Sequence, residues 1–288
     1  MQYKQIGVFE NFQIIHTGTA FGEVHPNAEN FSTQINRLLD ISGSQTIVAQ
    51  KLGFNCKVTL ATPEVLGNGL SNSKPVPNFL RTKEVSDGII IPSEMKNIAV
   101  CVMNADCNVV EVISPAGDLA VLHLGLNNLD VNSGTTIIGN AIEAFKTLGF
   151  EPNQLKFRVG EGAQSCCYGL LGQNPDQITS NQLKANKLAK VLGEDVIGTV
   201  SKGPRKNGIA FNIPLIAARI AEQLGLTKIE IDQLCTSCHH VEDNNLNTLN
   251  HYGTWFSNLR ECPEVTKQRG FGSRNALLVF ALNQSIKL

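Results

Sequence analysis

From residue 29 apolar positions recur at helical spacing, with Phe31, Ile35, Leu38 and Leu39 on one face. Ser42-Gly43 closes the first part of this stretch, which reads as helical through residue 53. Cys56 to Leu60 reads as a strand, and residues 67–87, rich in Asn, Ser, Gly and Pro without a period, read as a long surface loop. The pattern then turns to strands at Gly88-Ile-Ile-Ile91, Ile98 to Met103, Val109 to Ile113 and Leu119 to Leu122. Helices follow at residues 134–148, 180–193 and 212–224, the first ending at Leu148-Gly149, the second opening on Ser180 as N-cap, the third ending at Leu224-Gly225. A Gly- and Cys-containing segment, Phe157 to Leu171, separates the first two, and Lys228 to Leu234 and Asn275 to Leu282 add strands. Strands and helices intermix without a strict βαβα rhythm or an internal repeat. That predicts one α+β domain over residues 1–288 with mixed sheets.

Composition narrows the partners. With 42% hydrophobic residues the chain has ample material for a core, which excludes disorder. Lys+Arg 24 against Asp+Glu 25 gives a net charge of −1 with no basic stripe, which argues against nucleic acid and leaves small uncharged or weakly charged molecules. The longest apolar run, Ala276 to Leu282, is far below the ~18 residues of a membrane span, so no membrane partner is expected. Met1 to Gly18 carries Glu10 where a signal peptide needs unbroken apolar sequence, so a cytoplasmic location is expected. The cysteines at 56, 101, 107, 166, 167, 235, 238 and 262 are then thiols, and Cys101, inside Ile98-Ala-Val-Cys-Val-Met103, reads as a buried hydrophobe. Oligomeric state is not legible.

The chemistry concentrates in one hairpin. Ser114-Pro115-Ala116-Gly117 suits a three-residue loop with a glycine bulge. If Ser114 pairs with Asp118, His123 lies opposite Val109, and Cys107 becomes its diagonal neighbour, with Cα atoms about 7–8 Å apart. A register slipped by one residue would send the two side chains to opposite faces. A thiol and an imidazole together can ligate zinc, can form a Cys/His nucleophile, or can be a buried Cys beside a hydrogen-bonded core His. Asp106 could orient His123 or form an Asx-turn.

Further residues invite chemistry and have ordinary readings too. Cys235-Thr-Ser-Cys238, followed by His239-His240, is half of a zinc knuckle, but no second C-x-x-C exists, and Cys238, His239 and His240 read as an exposed loop. Adjacent Cys166 and Cys167 point in opposite directions if extended, so at most one faces a pocket. Arg260 and Arg274 carry guanidinium forks suited to a phosphate or carboxylate, and equally to surface ion pairs. Lys202 to Gly208 lacks the phosphate-loop pattern.

In these segments the chain resembles the bacterial laccase-like polyphenol oxidase family, also described as zinc-dependent purine nucleoside phosphorylases. Asn104-Ala-Asp-Cys107 resembles T-A-D-C, and His123-Leu-Gly125 resembles the start of H-x-G-W-x-G. Val85-Ser-Asp-Gly88 resembles the A-D-A/G step, and Val159 to Tyr168 resembles I-G-P-x-I-G-x-C-C-Y-E. Cys235-Thr236 matches C-T, while Phe256-Ser257, Arg260 and Arg274 fit the F-x-S-x-R-R … G-R tail. The resemblance implies a layered α/β/β/α domain similar to the catalytic domain of cytotoxic necrotizing factor. It implies a purine nucleoside-processing enzyme acting by phosphorolysis or adenosine deamination, with a nucleoside and phosphate as its small-molecule substrates. Cys107, His123 and Asp106 would be catalytic, zinc would sit on Cys107 and His123, and Arg260, Arg274 and Cys235 would line the substrate site.

The sequence departs from that pattern. The segment closest to the family's Q-V-H-G is Glu64-Val-Leu-Gly67, which puts Leu66 at the first zinc-ligating His, and an aliphatic group cannot ligate metal. His16 or His25 would have to complete the site. Leu126 and Leu259 stand where the family has Trp and Arg. Two other readings stay open: a metal-free Cys/His hydrolase or deamidase, and a binding protein that has lost the chemistry. Multicopper oxidation needs more imidazoles than six histidines with no H-x-H pair.

Overall fold

The structure, a computed structural model, describes residues 3–17, 26, 28–53, 55–104, 106–129, 135–170, 174–202, 206–232, 235 and 275–281. Along the chain come β1 (Tyr3–Phe9), β2 (Phe12–Thr17), α1 (Phe31–Ser42), β3 (Thr46–Lys51), β4 (Val58–Leu60), β5 (Leu66–Ser71) and β6 (Lys74–Val85). Next are β7 (Gly88–Ile91), β8 (Ile98–Asn104), β9 (Asn108–Ile113), β10 (Leu119–Leu124), α2 (Ile137–Thr147), β11 (Lys156–Val159) and β12 (Gly169–Leu170). The remainder is α3 (Pro175–Leu192), β13 (Ile197–Thr199), β14 (Ile209–Phe211), α4 (Ile213–Gln223), β15 (Lys228–Ile231) and β16 (Asn275–Ala281). They form a first sheet ordered β1-β2-β16-β8-β3-β6-β5, a second ordered β15-β11-β9-β10-β7-β4, and a small third, β12-β14-β13. Both large sheets are mixed: β3 and β8 run parallel, as do β11 and β15, while β9 and β10 are antiparallel.

Strand alternation sorts the core into layers. Val48, Val100, Val102, Leu277 and Val279 of the first sheet meet Ile89, Val109, Ile113 and Val121 of the second in one apolar cluster between them. Their neighbours Ile47, Ala49, Ala99 and Cys101 point the other way, onto Phe31, Ile35 and Leu38 of α1. The outer face of the second sheet, with Val110, Val112, Ala120 and Leu122, packs on α2 and α4 through Ile138, Ile142, Phe145, Ile216 and Ile220. The order α/β/β/α, with mixed sheets, is the α+β architecture expected. Gln50 ties the layers, its Nε2 donating to the carbonyl of Val121 at 2.8 Å. As expected, Cys101 is wholly buried, and burial pushes its thiol up to about 12.

Three segments differ from the sequence reading. The helix from residue 29 stops at Gly43, whose φ of 63° makes the left-handed cap, and β-branched Thr46, Ile47 and Val48 begin β3 instead of continuing the helix. Because both faces of β3 are covered, its apolar run lacks the alternation that would have marked it. Residues 67–87 are not a loop. They form the β5–β6 hairpin, turned at Asn72 and Ser73 with φ of 47° and 67°. The hairpin lies at the exposed edge of the first sheet, and a register shift between Asn68 and Leu70 breaks its period. Gly69 is required there, since a Cβ would stand 1.9 Å from the ring of Phe79. Finally, α3 starts at Pro175 rather than at Ser180, capped by the Asn174 side chain, which accepts from the Gln177 N–H. No helix among the described residues is long and apolar enough to cross a membrane.

Candidate functional site

The turn at residues 114–118 sets the register of everything around it. The Ser114 N–H donates to the Asp118 carbonyl at 3.0 Å, the Gly117 N–H donates back to Ser114 at 3.0 Å, and Gly117 takes a φ of 89°. His123 is thereby opposite Val109 and Leu124 opposite Asn108, the pairing expected from the turn. On its other side β10 pairs with β7, Leu122 opposite Gly88, so the next rung brings the His123 N–H to the Asp87 carbonyl at 2.8 Å. His123 thus sits at one end of a central strand, flanked by Asp87 and by the residues leading into β9. It shares a strand face with Val121, which places it at the end of the gap between the sheets.

Two groups hold the imidazole. Its Nδ1 lies 3.3 Å from Asp87 Oδ1, and Cys107 forms a hydrogen bond with the ring. Cys107 is partly buried, His123 is 3% exposed and Asp87 is fully buried. Asp87 also accepts the backbone N–H of Gly53 at 3.2 Å and that of Asn55. Burial alone would push the imidazole down, but the Cys107 sulfur, the hydrogen bonds with Asp87 and Cys107, and the Asp87 charge outweigh it and raise His123 to about 9. Burial likewise opposes the Asp87 carboxylate, and hydrogen bonds from His123, Asn55 and Gly53 win, holding it below its ordinary value.

Asp106 is buried, and its carbonyl accepts from the Ala163 N–H at 2.7 Å; the carboxylate on His123 Nδ1 belongs to Asp87. Pairing the strand at residues 88–91 with β10 in sequence would have found Asp87, since their register places it beside His123. Cys235 lies with Cys166 and Cys167, the three sulfurs within 4.8 Å of one another. Cys166 and Cys167 occupy a turn rather than a strand, so both side chains face the same side, 3.8 Å apart. An extended segment would send them apart. Arg260, Arg274, Cys238, His239 and His240, Leu259, His25 and the His16 side chain lie outside what the structure describes.

Leu66 is not on a strand that neighbours β7, β9 or β10. It is on β5, the outermost strand of the first sheet, paired with Thr82. The segment that meets Asp87 is Gln50-Lys51-Leu52-Gly53, which keeps the Gln and Gly of Q-V-H-G and has Leu52 in the third place. Either alignment offers an aliphatic side chain. Among the described residues, the one set of three potential ligands close enough for a metal is Cys166, Cys167 and Cys235, not a set containing Cys107 and His123. The described residues at Cys107 therefore do not fit a three-ligand catalytic zinc.

A buried ionic network lies across β9 and β11. Arg158 reaches Glu111 at 3.0 Å, and Glu161 and Asp232 at 3.2 Å each. Burial pushes Glu161 up to about 8 against the pull of Arg158, with the Asp232 hydrogen bond adding to the rise. One oxygen each of Glu111 and Glu161 is buried without a hydrogen-bond partner. Asn108 donates to the Gly160 carbonyl at 2.9 Å, which presses residues 160–164 against the entry to β9. A cavity of 710 Å³, bordered by Glu10, Lys96, Ser114, Lys156 and Lys228, opens at the turn end of the hairpin, the opposite end from His123.

Residues 40–262 match the model of a family described as multi-copper polyphenol oxidoreductase laccase. No curated protein matches the sequence. Among solved structures, a hypothetical protein YfiH of Bacillus licheniformis superposes with a TM-score of 0.67 at 16% identity, covering 97% of this chain and 96% of that one. YlmD from Geobacillus stearothermophilus gives 0.64 at 16% identity, covering 98% and 96%. Neisseria meningitidis protein NMB0706, of the family model DUF152, gives 0.63 at 15%, covering 98% and 99%. At these identities the structures establish a shared fold, and the family match, spanning most of the chain, establishes the lineage: the chain belongs to the multi-copper polyphenol oxidoreductase laccase family.

Proposed function

We propose that the chain is a small-molecule enzyme that hydrolytically removes an amino group from an amidine-like carbon, with a 6-aminopurine nucleoside as the substrate class. The observation that carries this reading is the alignment of Asp87, His123 and Cys107 at one end of three adjacent strands, with the His123 ring between a carboxylate and a thiol. A ring nitrogen beside the sulfur pairs the nucleophile with a group that can carry its proton, and a carboxylate on Nδ1 fixes the ring.

In the proposed reaction the Cys107 sulfur adds to the carbon bearing the amino group, and His123 delivers its proton to the departing ammonia. A water molecule then loses a proton to His123 and attacks the same carbon, and the carbon–sulfur bond breaks to return the Cys107 thiolate beside the imidazolium. The sum is amine plus water to oxo product plus ammonia. Asp87 keeps the ring in one orientation throughout. No step uses zinc, and six histidines without an H-x-H pair do not supply multicopper chemistry.

Incubation with adenosine, with and without phosphate and added zinc, tests the reading. Ammonia and inosine are expected in all four mixtures, and Cys107→Ala or His123→Ala should lower the rate by about 10³-fold or more. Release of free base only when phosphate is present would show phosphorolysis and overturn hydrolytic deamination. Activity only with added zinc would overturn the metal-free thiolate.

A further inference from the structure

We infer that Cys166, Cys167 and Cys235 form a thiolate site for one zinc ion, separate from the Cys107–His123 centre. Zinc holds thiolate sulfur at ~2.3 Å, which in a tetrahedron separates the sulfurs by about 3.8 Å. The Cys166 and Cys167 sulfurs are already 3.8 Å apart, and all three lie within 4.8 Å of one another. Closing on an ion needs shifts of about 1 Å or less.

Packing alone does not ask for this arrangement. Cys101 shows what a cysteine does as a hydrophobe, sealed singly among aliphatic and aromatic side chains. Here two consecutive residues turn their sulfurs to the same side, toward a third brought from a remote segment. Cys235 is anchored by a parallel bridge to Gly162, and its sulfur accepts the Gln164 N–H at 3.4 Å, which fixes where the sulfur points. Cys167 and Cys235 are buried, whereas Cys166 is partly exposed, so an ion can enter from the Cys166 side and keep water at its fourth position.

Soft sulfur donors select zinc or copper(I) over harder ions. Bound there, zinc would clamp residues 160–167 to residue 235 directly behind the reaction centre, because Ala163 donates to the Asp106 carbonyl at 2.7 Å.

Metal titration of the full chain against a competing chelator tests the site, with cobalt(II) as the spectroscopic probe. One zinc per chain and a thiolate-to-cobalt charge-transfer band are expected, both retained in Cys107→Ser and His123→Ala. Cys166→Ser and Cys235→Ser should each weaken zinc binding by more than about 100-fold, beyond the loss from a missing outer-shell partner. Cys166→Ser alters a partly exposed residue, and circular dichroism on it separates lost binding from lost folding. Absence of zinc binding, undiminished binding in Cys166→Ser, or loss of binding in Cys107→Ser would each overturn the assignment, as would stoichiometric copper(I) uptake without zinc. The outcome does not depend on whether adenosine is deaminated.

Discussion

Two sulfur centres flank residues 160–164, and they are assembled by different rules. At Cys107 the partners come from three neighbouring strands, and their meeting is a matter of register: one rung places His123 beside Asp87, and the same register brings the Cys107 sulfur to the ring. At Cys166 the partners come from a turn and an isolated bridge, 71 residues apart between Gln164 and Cys235. The first centre mixes sulfur, nitrogen and carboxylate, so its charges compensate one another and suit proton transfer. The second offers sulfur alone, which suits a soft cation. A ladder fixes unlike groups at set heights, whereas a turn can crowd like groups together.

The comparison breaks most severely at Asp87. Asp87→Ala would strip partners from two backbone N–H groups and leave the His123 charge buried and uncompensated, a loss expected at about 3–5 kcal/mol in urea unfolding. Since the native pKa of Asp87 is lowered, its contribution is present above the unfolded value near 3.9 and fades as pH falls through the native one. Zinc uptake at Cys166 should survive in whatever fraction folds.

Gly162→Ala strikes both centres together. Its Cβ would lie 2.4 Å from Asn108 Cγ, a buried side chain that bonds Gly160, so a destabilisation of about 1–3 kcal/mol is expected, with reduced Cys107 alkylation and reduced metal retention in the same variant.

A pH series sharpens the contrast further. His123, raised to about 9, contributes stability that is complete below its unfolded value of ~6.5 and is lost as pH climbs through 9. Glu161, raised to about 8, acts with the same sign from the unfolded carboxyl range upward, so the urea midpoint should fall between neutral pH and 9. Glu161→Gln should flatten the lower part of that fall and leave the upper part to His123. The smallest effect is expected at Gly117, where a φ of 89° makes Gly117→Ala cost about 1 kcal/mol without moving either set of sulfurs.

Much of this was legible along the chain. The hairpin register, the strand at Gly88–Ile91, and the helices closing on Gly149 and Gly225 follow from turn and cap residues acting over a few positions. The β5–β6 hairpin was not, because an exposed edge strand interrupted by a register shift carries no period to read. Asp87 stands within Val85-Ser-Asp-Gly88, but its place against His123 depends on which strand lies on the far side of β10. Sequence likeness alone sets Glu64-Val-Leu-Gly67 against Q-V-H-G, whereas the fold brings residues 50–55 to Asp87.

By itself the sequence determined the α+β character, the turn at Ser114 and hence the meeting of Cys107 with His123, since φ and ψ preferences and side-chain alternation are local properties. Only the tertiary structure decided that Asp87 completes that centre and that Cys235 crosses to Cys166 and Cys167. Strand order and sheet stacking make those contacts, and apolar faces that pack equally well in several orders do not encode which neighbour arrives.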